Sequence, residues 1–109
     1  MRQYVLEQVK QDAFVLSRMR CEYALPTSNE VLRADVVHFD GQGQARWIIE
    51  CKAFSCRLTQ TDLGQLARYM RLAKVVIGLL TNGYHHVMIH PNGVDELPSM
   101  DECINRLKA

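Results

Sequence analysis

The sequence predicts an α/β fold, one mixed β-sheet with helices packed on it. Three observations carry this. Two stretches rich in β-branched residues, 31–39 and 45–51, flank a turn that holds two glycines. A helix-period segment follows Thr59, and a near-continuous apolar run, 74–80, follows the segment. The turn makes its two strands antiparallel. The strand–helix–strand unit from Ile48 to Leu80 crosses over right-handed and makes its two strands parallel.

Each element has its own signal. Residues 4–20 place Val5, Leu6, Val9, Ala13, Leu16 and Met19 at helical intervals, which predicts an amphipathic helix. Leu25-Pro26-Thr27-Ser28-Asn29 ends it with turn chemistry. After the strand 31–39, Asp40-Gly41-Gln42-Gly43 turns the chain and 45–51 returns. Thr59-x-x-Asp62 forms a capping box with Asp in the acidic position, opening a helix that runs to about Leu72. The run 74–80 has the pattern of a central strand covered on both faces. Asn82-Gly83 is a hairpin signal, and 84–90 returns beside the central strand. Ser99-x-x-Glu102 caps a last helix ending near Leu107. The predicted order is helix, strand, strand, helix, strand, strand, helix.

The chain's 109 residues suffice for one domain, 1–109, and not for two. With 48% apolar and 23% charged residues it has an ordinary globular composition. No apolar run approaches the roughly 20 residues of a membrane helix. The start, Met1-Arg2-Gln3-Tyr4, lacks a signal-peptide pattern, so a cytoplasmic location and no membrane partner are expected. Cys21, Cys51, Cys56 and Cys103 show no zinc-like spacing and read as free thiols. The formal net charge of +1 falls short of the basic excess of many nucleic-acid binders. Arg57, Arg68, Arg71 and Lys74 nonetheless cluster, with Arg68 and Arg71 on one helix face. A solvated surface explains any one of them equally well.

Asp35, Glu50 and Lys52 are the candidates for chemistry. Glu50 and Lys52 lie two apart on a predicted strand and project from one face, while Cys51 projects from the other. Charged groups on an apolar strand are costly to bury unless something uses them. Asp35 brings a second acid from the preceding strand. A structural ion pair is the plain alternative, but two acids and one lysine leave one acid uncompensated. The three together suit a hard divalent cation, a phosphate and a water.

In this order and on these elements, Asp35, a gap of fourteen residues and Glu50-Cys51-Lys52 resemble the PD-(D/E)xK nuclease superfamily, whose core is αβββαβ. Gln65-Leu66-Ala67-Arg68-Tyr69 matches the QxxxY element that one branch carries on the following helix. Together with Leu58-Thr59-Gln60 and Thr81-Asn82-Gly83, the span is similar to the N-terminal nuclease domain of type I restriction enzyme R subunits, over about residues 4–90. Ala34 stands where the superfamily often has proline. The resemblance implies a restriction-endonuclease-like sheet and a Mg²⁺- or Mn²⁺-dependent endonuclease acting on DNA in restriction-modification or repair. It implies that Asp35, Glu50 and the Cys51 carbonyl hold the metal, and that Lys52 meets the scissile phosphate and the attacking water. It gives Gln65 the orienting of Lys52 or the water, and Tyr69 contact with the DNA backbone or the bracing of Gln65. Glu7, or failing that Glu22, stands near a helix acid that assists the metal in relatives, although a solvated surface acid explains either.

The chain has no GxxxxGK[ST] loop. It therefore acts with a separate motor or specificity subunit or stands alone, and a homodimer would supply one site per DNA strand. The rival reading is a nuclease-fold module without catalysis that binds DNA or a protein partner and needs no metal. His85, His86 and His90 invite zinc, but His85 faces away from the other two and no fourth ligand is evident. His38 and Trp47 fall on the face opposite Asp35 and Glu50 and read as packing.

Overall fold

The computed structural model describes residues 19–25 and 27–108. Strands β1 (Met19–Leu25), β2 (Leu32–Phe39) and β3 (Ala45–Cys51) precede helix α1 (Gln60–Ala73). Strands β4 (Ile77–Thr81), β5 (His86–His90) and β6 (Gly93–Leu97) and helix α2 (Met100–Lys108) follow. All six strands join one sheet in the order β1-β2-β3-β4-β5-β6. The β3–β4 pair is parallel and every other pair antiparallel. The sheet is mixed, as expected, and strands β1, β2 and β3 are followed by α1 and then β4.

Most of the helix expected over 4–20 lies outside the described residues, and its last two positions are corrected. Met19 and Arg20 are extended and pair with His38 and Val37. The apolar spacing that placed Met19 on a helix also suits a buried strand residue, and Met19 packs in the core. β6 is the second strand that the pattern did not announce. Among the described residues both are edge strands, paired on one side, where polar side chains such as Arg20, Glu22, Asp95 and Glu96 are tolerated.

The caps form as their sequences require. Thr59 and Asp62 exchange side-chain bonds with each other's amides, at 3.2 Å to the Thr59 hydroxyl and 2.9 Å to the Asp62 carboxylate. Glu102 N–H donates to Ser99 Oγ at 3.1 Å. At the far end of α1, Lys74 turns left-handed at φ 59°, and Val75 N–H returns to the Met70 carbonyl at 3.0 Å. This cap takes the residues with which the strand 74–80 was expected to begin, so β4 starts at Ile77. Likewise the Asn82 turn extends to His85, and β5 starts at His86 rather than residue 84.

The two helices cover opposite faces of the sheet. Leu66, Tyr69 and Met70 of α1 pack on Val37, Ile48 and Leu80. Met100, Cys103 and Leu107 of α2 pack on Val36, Trp47, Ile49, Leu79 and Met88. Gly78 lets α1 approach β4 closely: a Cβ there would lie 2.5 Å from Met70 Sδ and 3.0 Å from Leu66 Cδ1. Trp47 lies in the α2-side core and His38 stacks on it at 4.6 Å. All four cysteines carry free thiols. Among the described residues, no helix is long and apolar enough to cross a membrane.

Candidate functional site

The site begins where one ladder stops and the next continues. Pairing between β2 and β3 reaches Val36 opposite Ile49. Pairing between β3 and β4 runs on through Glu50 opposite Leu80 and Cys51 opposite Thr81. Lys52 N–H extends it, donating to the Thr81 carbonyl at 2.8 Å. The end of β3 thus stays with β4 where its ladder with β2 has ended.

Two carboxylates take over the bonding there. Glu50 Oε1 accepts from Asp35 N–H at 2.9 Å, and Asp35 Oδ2 accepts from Cys51 N–H at 2.8 Å. Each acid satisfies an amide on the opposite strand and is oriented by it. Glu50 lies two residues from Ile48 and so occupies the α1 face of the sheet, and the bond from the Asp35 amide brings the two acids together. Their other oxygens, Asp35 Oδ1 and Glu50 Oε2, accept no hydrogen bond from the described residues.

The pair is electrostatically unbalanced. Burial, and then the neighbouring Asp35 charge, push the Glu50 carboxyl from its ordinary 4.5 up to about 8. The Asp35 amide and Lys52 oppose the rise without cancelling it. Lys52 is engaged elsewhere: its Nζ lies 3.2 Å from Asp62 Oδ1. Burial raises the Asp62 carboxyl, but the Thr59 amide, Lys52 and the Thr59 hydroxyl outweigh it and hold the group below its ordinary value. One carboxylate thus caps α1 and tethers the lysine.

Gln65 and Tyr69 meet as their four-residue spacing requires. Gln65 Nε2 donates to the Tyr69 hydroxyl at 2.9 Å, and the Tyr69 ring is buried in the α1-side core. Lys52 pairs with Asp62 rather than with Gln65. Sequence reasoning gave Asp62 only a capping role. Its second role had a signal: a side chain in the first turn leans back past the helix start, toward the chain that delivers Lys52.

The donor set suits a hard divalent cation. It consists of carboxylate oxygens fixed by backbone amides, in a place where two acids ionise together only at a cost. Among the described residues no three His, Cys, Asp or Glu side chains converge. A cation here would take the two carboxylates and complete its shell with backbone oxygen and water. Glu7 lies outside the described residues. Glu22 is an exposed residue of β1 with φ 51° and joins no such group. The expected basic cluster is partly neutralised, since Arg68 pairs with Glu30 at 2.8 Å. The histidines separate: His86 Nδ1 bonds Thr81 Oγ1 at 2.7 Å, and His90 Nε2 bonds Asp95 at 2.8 Å.

The family model of the type I restriction enzyme R protein N terminus matches residues 1–102. The chain belongs to this family. No match was found among curated proteins or among solved structures. As an R-protein N-terminal domain it has a restriction-related role. The match spans every element from β1 to β6 and with them Asp35, Glu50, Lys52, Gln65 and Tyr69.

Proposed function

We propose that the protein is a divalent-cation-dependent nuclease that hydrolyses DNA phosphodiester bonds in restriction. The observation that carries this reading is the Asp35–Glu50 pair, two acids locked to opposite backbones and bonded to no cation among the described residues. Family membership supports it.

Asp35, Glu50 and the Cys51 carbonyl would hold Mg²⁺ or Mn²⁺. When bound, such an ion supplies Lewis acidity, a more acidic water and alignment for in-line attack. Lys52 carries the charge that meets the scissile phosphate. Asp62 holds that ammonium at the end of β3 until the phosphate competes for it. Gln65, steadied by the Tyr69 hydroxyl, orients the attacking water or the lysine, and the buried Tyr69 ring anchors the pair to the core. DNA is the substrate partner. A separate motor or specificity subunit, or a second copy of the chain, accounts for the cutting of both strands.

Incubation with supercoiled plasmid and Mg²⁺ or Mn²⁺ tests the reading. Wild type nicks or linearises the plasmid, and Asp35→Ala and Lys52→Ala each lose at least about a hundredfold in rate. Equal cutting by either variant would refute the assignment. DNA binding without cutting, with either metal, would favour a non-catalytic module.

A further inference from the structure

β3 and β4 end side by side, and the loops that leave them carry two exposed aromatic side chains. Phe54 is 46% exposed and Tyr84 69%. Their rings touch edge to face, with centroids 5.4 Å apart at 63°. The other exposed large apolar residues among those described, Val31, Val76 and Val94, are aliphatic. Single exposed valines need no explanation, whereas two aromatic rings kept together in water do.

The loops beneath the rings are built rather than slack. Cys56 N–H donates to the Ala53 carbonyl at 2.9 Å and closes a turn with Phe54 and Ser55 at its tip. Asn82, only 3% exposed, donates from Nδ2 to the Cys56 carbonyl at 2.7 Å. Its Oδ1 accepts from Tyr84 N–H at 2.9 Å and His85 N–H at 2.8 Å. One buried amide therefore fixes the backbone under both rings. A hollow of about 250 Å³ beside them is lined by Phe54, Tyr84, His85 and Arg57 among others. Arg57 is exposed and pairs with no acid among the described residues.

We propose that Phe54 and Tyr84 form a stacking platform for unpaired nucleotide bases, with Arg57 meeting the adjoining phosphate. Every base offers a π-face, so such a platform binds without reading sequence, and a duplex hides those faces within its own stack. The formal net charge of only +1 leaves little general attraction to phosphate, so stacking carries a large share of the affinity. Phe54 lies two residues beyond Lys52, which brings a stacked strand to the catalytic groups. This last step rests on the nuclease reading. The binding itself does not.

Fluorescence anisotropy in EDTA, where no cutting occurs, tests the platform. The probes are a labelled oligodeoxythymidylate, a blunt duplex of equal length and an abasic strand with the same number of phosphates. Wild type is expected to prefer the thymidylate to both others. The double variant Phe54→Leu/Tyr84→Leu weakens its binding about 5- to 150-fold per stacked base lost, and Tyr84→Trp retains it. Both side chains are exposed, so an unchanged thermal melt is expected for every variant. Equal affinity for thymidylate and abasic strand, unchanged binding by the double variant, or no binding of any strand would overturn the platform. Plasmid cutting that persists alongside any of these overturns the platform alone. Ring-dependent binding without cutting overturns only the nuclease reading.

Discussion

Acids are treated in opposite ways on edge strand β6 and on inner strand β3 of this sheet. On β6, Asp95 Oδ2 receives Arg106 at 3.2 Å and His90 at 2.8 Å. The Arg106 bond, helped by His90, holds the Asp95 carboxyl below its ordinary range. On β3, Glu50 faces Asp35 while Lys52 pairs with Asp62, and burial raises the Glu50 carboxyl to about 8. The first cluster ties a strand, its neighbour and α2 together. The second holds negative charge that the described residues do not balance. An acid that serves as a fastener comes with its cation, whereas no cation among the described residues is bonded to the Asp35–Glu50 pair, and on the proposed nuclease reading the pair takes one from outside.

Replacing Glu50 with Gln breaks this contrast most severely. Glutamine keeps an acceptor for the Asp35 amide and loses the charge. In EDTA the folded state of wild type holds the Glu50 proton more tightly than the unfolded chain does. Stability from this group is therefore fully present below about pH 4.5 and is lost as pH rises through about 8. The loss is on the order of 5 kcal/mol over that window. Urea unfolding across the range should show this slope in wild type and a flatter profile in Glu50→Gln. Identical profiles would mean that Glu50 is not held protonated against Asp35.

A smaller effect sharpens the contrast from the lysine's side. Asp62→Asn keeps an oxygen for the Thr59 amide and removes the partner of Lys52. Stability should change by less than about 1 kcal/mol, because the pair is partly exposed. Plasmid cutting should fall about tenfold as the lysine loses its fixed position. In the same assay Asp95→Asn cuts at the wild-type rate. Equal losses from the two substitutions would remove the distinction between tether and fastener.

The central part of the fold was legible because its signals are local. Thr59-x-x-Asp62, Ser99-x-x-Glu102 and Asp40-Gly41-Gln42-Gly43 each act within a few residues. The apolar strands β2, β3 and β4 are buried on both faces and had little else to be. The edge strands β1 and β6 were not legible, because one free side relaxes the demand for apolar alternation. The start of β4 was hidden by a left-handed cap at Lys74, a residue type that does not advertise that conformation. In the site, the period of two put Glu50 and Lys52 on one face, and the helical period joined Gln65 to Tyr69. The crossed carboxylate–amide bonds depend on where the β2–β3 ladder stops, which no local pattern encodes. The Lys52–Asp62 tether depends on where α1 begins relative to the end of β3.

The most direct measurement is a calorimetric titration of Mn²⁺ into wild type and Glu50→Gln near about pH 7, in two buffers of different ionisation enthalpy. One ion per chain is expected to bind wild type with release of a proton, since the raised Glu50 carboxyl must ionise to receive it, and the variant should bind none at that site. Indistinguishable binding by the two proteins, or no binding to wild type with DNA present, would contradict the claim that this acid pair is a cation seat.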